Sequence, residues 1–328
     1  VKVLVTGAAG FIGSWVVERM LADGHDVVGL DNFDDFYDPA IKRRNIETAS
    51  AHPSFTLVEG DFRDRSLVDT LFTEQAPKAV VHLGARAGVR PSLENAPLYV
   101  DVNLDGTTVL LDASRHHGVE RFVFASSSSV YGARPLEPFS ETDDADSPIS
   151  PYAATKRAGE LICHTYNHLF GLPITCLRFF TVYGPRQRPE MAIHYFTRAI
   201  ADGDPINVFG DGSAMRDFTF VDDIVDGVVA AFERCEGFHT YNLGRGDTVR
   251  LSDVIEMIES AVGVPAKINY LPTEPGDVPT TFADVSKARA NLGFDPNVSI
   301  QEGVTRFVEW FRSQEQNDVE TQPDRTSG

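Results

Sequence analysis

The first residues of the chain confine what it can fold into. Lys2 to Val5 is a short run with the β-branched character of a buried strand. Gly7-Ala-Ala-Gly10-Phe-Ile-Gly13 follows at once, and Ser14 to Ala22 then places Trp15, Val16, Met20 and Leu21 at helical spacing. Three glycines alone make an ordinary turn; set between a strand and a helix they make a phosphate loop. Gly7 permits the sharp turn, Gly10 lets the backbone approach a pyrophosphate, and Gly13 lets helix and strand pack closely. The helix N-terminus is then aimed at the anion.

A second strand, Val27 to Leu30, ends at Asp31. A carboxylate roughly twenty residues beyond such a loop accepts hydrogen bonds from a ribose 2′-hydroxyl and repels a 2′-phosphate, which favours NAD over NADP. Further strand-like runs occupy Thr56 to Glu59, Ala79 to Leu83, Arg121 to Ala125, Ile174 to Phe180 and Thr240 to Leu243. Most are separated by helical stretches such as Leu67 to Glu74 and Leu104 to His117. The alternation predicts an α/β chain with a Rossmann-like, doubly wound parallel sheet. Asp61-Phe62 and His82-Leu83-Gly84-Ala85 fall at the ends of the third and fourth strands, where such sheets bind ligands. Each reads equally as a cofactor contact or as packing.

The reactive candidates are Ser126-Ser127-Ser128-Ser129-Val130-Tyr131-Gly132, Tyr152 and Lys156. Pro151 marks a helix start, so Tyr152 and Lys156, four apart, project from one face. A phenol normally holds its proton until a pH of about 10. A neighbouring ammonium and a bound nicotinamide cation would favour the phenolate and make Tyr152 a usable base. The spacing alone fits any surface helix; here it follows a serine-rich strand end in a dinucleotide-binding chain.

Thr6-Gly7-x-x-Gly10-x-x-Gly13, Asp31-Asn32, His82-Leu83, the serine strand ending Val130-Tyr131-Gly132, Tyr152-x-x-x-Lys156 and Arg216-Asp217-Phe218-x-x-Val221-Asp222-Asp223 together resemble the extended short-chain dehydrogenase/reductases. The resemblance runs from residue 1 to about residue 312 and points to the NAD-dependent nucleotide-sugar epimerases, dehydratases and decarboxylases. It implies that Ser127 hydrogen-bonds the sugar 4-hydroxyl, that Tyr152 is the base, and that Lys156 holds the nicotinamide ribose while tuning the tyrosine. It implies an NAD site of Gly7, Gly10, Phe11, Ile12, Gly13, Asp31, Asn32, Asp61, Phe62, Leu83, Ala85, Asn103, Tyr152, Lys156 and Phe179. It implies a UDP-sugar site of Arg90, Ser127, Ser128, Thr181, Arg188, Val208, Arg216 and Asp277. It also implies a homodimer through a four-helix bundle of the helices Leu104 to His117 and Tyr152 to Phe170; deep burial within one subunit would leave the same apolar pattern.

The branch of the family follows from what is absent. The family's dehydratases carry Asp-Glu after a catalytic Thr and its decarboxylases carry Glu three before the glycine, whereas Ser128 and Ser129 stand at those positions here. A hydroxyl does not readily replace a carboxylate in general acid–base work, so elimination is disfavoured and epimerisation remains. The implied course is that Tyr152 takes the 4-hydroxyl proton, C4 hydride moves to NAD, the keto sugar rotates and hydride returns to its other face.

Phe33-x-x-Phe36-Tyr37-Asp38, Ala87-Gly88-Val89-Arg90-x-Ser92, Arg178-Phe-Phe-Thr-Val-Tyr-Gly-Pro185, Arg188-Pro-x-Met-Ala192 and Pro275-Gly-Asp-Val-Pro279 resemble the UDP-glucuronate 4-epimerases more closely. UDP-glucose 4-epimerases usually carry Asn where Thr181 stands, and tend to carry Arg where Glu274 stands. Without that arginine, diphosphate charge falls to Arg216 and Arg90. A uronic acid needs donors for its C6 carboxylate, and Ser127, Ser128, Thr181 and Arg188 can supply them. Arg188 also fits a surface ion pair. UDP-glucose or UDP-N-acetylhexosamine 4-epimerase is the runner-up; a dehydratase or decarboxylase, and a silent NAD-binding scaffold, stand further back.

The remaining features bound the setting. With 328 residues the chain can form a cofactor domain, 1–184 and 221–250, interleaved with a smaller α/β lobe for the nucleotide sugar, 185–220 and 251–312, because the strand at Thr240 to Leu243 returns to the sheet. Residues 313–328 are polar and aperiodic, so disorder is expected. A formal net charge of −19 argues against a basic nucleic-acid surface. The absence of a bilayer-length apolar run and of a signal-peptide pattern leads to the expectation of a cytoplasmic protein with no membrane partner. Cys163, Cys176 and Cys235 sit in apolar stretches as expected buried thiols, and His116-His117 before Gly118 reads as a helix end, so no metal site is expected. Lysine occurs only at positions 2, 42, 78, 156, 267 and 287, beside abundant arginine and aspartate. That composition is similar to proteins adapted to high internal salt, and implies activity that rises as salt screens like charges.

Overall fold

The computed structural model describes residues 1–134, 138–273 and 278–321, with side chains to Gln316. The opening β-branched run forms β1 (Lys2–Thr6). It is followed by β2 (Asp26–Asp31), β3 (Phe55–Glu59), β4 (Ala79–His82), β5 (Arg121–Ser127) and β6 (Ile174–Phe179). With the strand Phe238–Leu243 they build a seven-stranded sheet ordered Phe238–Leu243, β6, β5, β4, β1, β2, β3, and every pair is parallel.

Parallel strands need crossover helices over both faces, which is why their residues are apolar throughout rather than alternating. Val3 and Val5 face one core and Leu4 the other. On the first face lie the helices Phe11–Ala22 and Val221–Glu233, through Val16, Met20, Ile224 and Val228. On the second lie Arg65–Gln75, Gly106–His116 and Pro151–Phe170, through Val68, Leu71, Leu110 and Cys163. The chain leaves β1 toward β2 and β3, then re-enters on the other side of β1 as β4. This reversal opens a crevice at the C-terminal ends of the strands, and the site forms there.

Beyond β6 the construction changes. Pro205–Phe209 pairs with Lys267–Leu271, Met215–Arg216 with Val249–Arg250, and Thr181–Tyr183 with Phe218–Phe220. The helices Ala192–Asp202, Leu251–Val262 and Ile300–Thr321 flank these pairs. Between these segments the strand Phe238–Leu243 returns to the sheet edge beside β6, so the chain passes from the sheet to the segments and back. Asp217, fully buried, ties them: Oδ1 accepts from Arg245 N at 2.7 Å and Thr219 Oγ1 at 3.1 Å, and Oδ2 from Gly246 N at 3.1 Å and Ala283 N at 3.2 Å.

Two local expectations need correction. The helix expected from Leu104 begins at Gly106, after a π-helical turn, Asp101–Asp105, that absorbs Leu104. The tail expected to be disordered from 313 continues the last helix to Thr321. Val304, Phe307, Val308 and Phe311 anchor that helix, and the Gln and Glu residues after them sustain it with no breaker before Pro323. The three cysteines are buried free thiols. His116 Nδ1 lies 2.9 Å from Asp112 O, and His117, at the helix end, pairs with Asp69 at 3.3 Å. No helix among the described residues is long and apolar enough to cross a membrane.

Candidate active site

At the crevice, Gly7 takes φ +66°, a conformation that L side chains rarely adopt. A Cβ on Gly13 would lie 1.9 Å from Gly7 O, so the crowding that requires this glycine is loop against helix rather than helix against strand. The helix Phe11–Ala22 begins at Gly10 with no side-chain cap. Its first N–H groups therefore point into the cleft, open to an anion.

Asp31 ends β2 beside this loop, 7% exposed; its Oδ2 accepts from Ala9 N at 3.0 Å and its Oδ1 from Phe33 N at 2.9 Å. Burial raises its pKa against those two bonds. A carboxylate has about four acceptor positions, so capacity for a ribose hydroxyl remains. Asp61, just past the neighbouring strand β3, accepts from Arg63 at 2.6 Å and from Asn32 Nδ2 at 3.1 Å. Burial opposes its ionisation, but the Arg63 bonds prevail and hold its pKa below the ordinary value. The stretch after β4 divides. His82 is packing, held by Thr6 Oγ1 at 2.6 Å and Thr107 Oγ1 at 3.0 Å and pushed by burial to about 3, while Leu83 and Ala85 line the cleft.

The helix Pro151–Phe170 starts where the proline predicts: Ser150 Oγ caps Ala153 N at 3.1 Å, and Gly171 closes the far end at φ +69°. Tyr152 and Ser127 line the cleft together, while Ser127 Oγ accepts from Ser129 N at 3.2 Å. Lys156, 4% exposed, donates its Nζ to Ala125 O at 2.8 Å, and burial lowers its pKa to about 8. Burial raises the Tyr152 phenol, and the groups pulling it back are Ser127 and the charge of Arg188. One turn further along the helix, the Lys156 ammonium lies against the end of β5 and also lines the cleft.

Glu160, one turn beyond Lys156, is 1% exposed and was not legible in the sequence. It accepts from Ser126 Oγ at 2.6 Å and pairs with Arg178 through 2.9 Å and 2.8 Å bonds. The pair fastens the helix to the ends of β5 and β6, next to Ser127 and Phe179.

One cleft of about 390 Å³ is lined by Gly7, Gly10, Phe11, Ile12, Gly13, Asp31, Asn32, Asp61, Phe62, Leu83, Ala85, Ser127, Ser128, Tyr152, Lys156, Phe179, Thr181 and Arg188. Asp34, Phe36, Tyr37, Lys42 and Arg86 join them, although no sequence argument selected Asp34, Lys42 or Arg86. Arg86 pairs with Asp34, and the guanidinium groups of Arg86 and Arg188 lie 4.3 Å and 5.5 Å from the Phe36 ring centre. Arg188 lines the cleft while pairing with Glu190 at 3.2 Å.

Four predicted residues do not line this cleft. Asn103 lies behind it, 2% exposed; its Oδ1 accepts from Arg86 N at 2.7 Å, and its Nδ2 donates to Arg86 O at 2.9 Å and Thr155 Oγ1 at 3.1 Å. It therefore shapes the Arg86 segment. Val208, 1% exposed, is turned inward by the strand alternation of Pro205–Phe209 and is core. Arg90 stacks 4.1 Å over Phe209, and Arg216 gives Nη1 to Met215 O at 2.9 Å and Pro279 O at 3.1 Å. Glu274 and Asp277 lie outside the described residues.

A parallel sheet with a glycine cradle at its reversal point, and a serine, tyrosine and lysine on the facing strand and helix, defines an enzyme that uses a dinucleotide. The chain belongs to the NAD dependent epimerase/dehydratase family, whose model matches residues 3–244. It is 44% identical over 310 residues to the UDP-glucuronate 4-epimerase of Thermodesulfobacterium geofontis, covering 94% of this chain and 95% of that one. It is similar to the structure of UDP-glucuronic acid 4-epimerase from Bacillus cereus in complex with UDP-glucuronic acid and NAD. There the TM-score is 0.91 and the identity 37%, over 96% of this chain and 100% of that one. The UDP-glucose 4-epimerase of Thermotoga maritima with UDP-glucose gives a TM-score of 0.89 and 32% identity, over 96% and 100%.

Proposed function

We propose that this chain, an NAD-dependent UDP-sugar 4-epimerase, acts on UDP-glucuronate and interconverts it with UDP-galacturonate. The observation that carries the reading is the wall around Tyr152: Ser127, Ser128, Ser129 and Thr181 supply hydroxyls and Arg188 a guanidinium. Hydroxyls and one guanidinium can hold a sugar carboxylate through charge-assisted bonds, whereas an acid there would repel it. Likeness to the acid-specific relatives supports the same substrate.

The cradle of Gly7, Gly10 and Gly13, the uncapped helix start and Asp31 fit NAD, whose pyrophosphate and adenosine ribose they would hold. Held there, NAD would supply a reversible hydride acceptor for C4 and a positive ring that favours the phenolate. Ser127 orients the 4-hydroxyl and Tyr152 takes its proton, later giving it back. Arg188 serves twice, biasing the phenol toward ionisation and facing the acid. Ser128 and Ser129, unable to act as carboxylate acids or bases, leave the sugar without a route to elimination.

The division into a cofactor unit, 1–184 and 221–250, and a sugar unit, 185–220 and 251–312, belongs to this proposal, with Arg90, Arg216 and Asp277 toward the nucleotide end. So does a homodimer: Leu161, Leu169 and Phe170 are 51%, 62% and 44% exposed on the catalytic helix, apolar area that a second copy would cover. A cytoplasmic setting completes it. The test is incubation with NAD and either UDP-glucuronate or UDP-glucose, with products resolved by anion exchange and mass. An isomer of unchanged mass from UDP-glucuronate is expected. Mass loss would mean decarboxylation, and conversion of UDP-glucose alone would remove the acid-specific reading.

A further inference from the structure

The loop that carries Arg188 is held in an unusual way. Arg186, two residues earlier, has φ +70°, a left-handed backbone on a residue with a long side chain. Its Nη1 is buried without a hydrogen-bond partner among the described residues. Neither feature helps the residue's own stability, and such strain persists only where the surroundings over-determine it. The surroundings here are one helix. The Arg186 guanidinium lies 4.0 Å over the Trp15 ring, its Nη2 donates to Glu18 Oε1 at 2.8 Å, and Trp15 Nε1 donates to Pro185 O at 3.0 Å. Trp15 and Glu18 belong to Phe11–Ala22, the helix whose first turn faces the phosphate loop.

We infer that Arg186 is a positioning residue: clamped by Trp15 and Glu18 to the helix that starts at the glycine cradle, it fixes the backbone from which Arg188 enters the cleft, and so sets the preference for an acidic over a neutral sugar. The inference rests on the reading of Arg188 as the carboxylate's partner. It makes the cofactor helix a determinant of sugar selectivity although Trp15, Glu18 and Arg186 all lie outside the cleft lining.

The test is the ratio of dissociation constants for UDP-glucose and UDP-glucuronate, measured by calorimetry on NAD-loaded protein, together with thermal unfolding. Arg188→Ala is expected to reduce the ratio by about ten-fold or more, the size of a lost charge-assisted bond. Arg186→Gly, which tolerates the left-handed backbone but removes the clamp, and Trp15→Phe, which keeps the ring but loses the N–H, should each reduce it about three- to ten-fold, a misplacement effect. Glu18→Gln, which still accepts a hydrogen bond, should keep most of it. If Arg188→Ala lowers the ratio while Arg186→Gly and Trp15→Phe leave it unchanged, or weaken both sugars equally, the clamp is overturned and the carboxylate reading stands. If Arg188→Ala leaves the ratio unchanged, that reading is overturned and the clamp falls with it.

Discussion

The sheet and the lobe close by different physics. In the sheet, β1 and β4 pair continuously with neighbours on both sides and are buried on both faces, so each strand is held by many small contacts. In the lobe, strands come in pairs, one of them only two residues long, and the joints are single buried carboxylates. Asp217 gathers four donors, and Asp223 accepts from Asn297 N at 3.1 Å and Val298 N at 3.3 Å. Stability in the first is distributed; in the second it is concentrated in a few polar side chains. Ser127, Tyr152 and Lys156 stand on the distributed part, with Arg188 reaching into the same cleft from the loop that leads into the other.

The comparison can be broken first at a point where the sheet side also depends on a buried polar group. Glu160→Gln leaves Arg178 charged and buried, and should cost about 3–5 kcal/mol in chemical denaturation. A cost below that of an ordinary surface change would show the pair to be dispensable. Gly13→Ala comes next: the added Cβ meets backbone, which cannot swing aside, so about 3 kcal/mol is expected, together with loss of NAD binding by calorimetry.

Asp217 sharpens the contrast through pH. Burial raises its pKa to about 6 despite the four donors. The folded state therefore keeps this proton to higher pH than the unfolded chain does. The associated stability is full below about pH 4, near the ordinary aspartate value, and is lost as pH rises through about 6. Asp217→Asn should start about 1–3 kcal/mol lower, because its amide N–H₂ must face donors, and should lack that decline. Denaturation curves from pH 4 to 7.5 on both proteins would show it; parallel curves would mean that Asp217 is not the group titrating. At the small end, the exposed Arg65–Asp105 pair, 3.2 Å apart, should contribute no more than about 0.5–1 kcal/mol, read as the change on Arg65→Ala.

What could be read in advance follows the same division. The glycine loop, Asp31 and the Tyr152–Lys156 spacing are local patterns, and the structure brings them to one cleft. Glu160 and Arg178, 18 residues apart in sequence, and Arg186 and Glu18, 168 apart, meet only through the fold, and no local pattern marks them. Asn103 and Val208, which the resemblance assigns to the site, are buried outside the cleft lining, and that placement too follows from the fold rather than from a local pattern. Lys156 lines the same cleft as Tyr152, as the four-residue spacing predicts, but the direction in which its ammonium points depends on how deeply the helix sits under β5. That depth is a packing outcome.

The most direct measurement is turnover of UDP-glucuronate by Tyr152→Phe, alongside calorimetry of NAD binding. Removing the one hydroxyl that moves the 4-hydroxyl proton should lower the rate by about two to four orders of magnitude while NAD still binds. A rate near that of the unaltered protein would mean that the proton is moved by some other group, and that the serine, tyrosine and lysine arrangement is not the catalytic one.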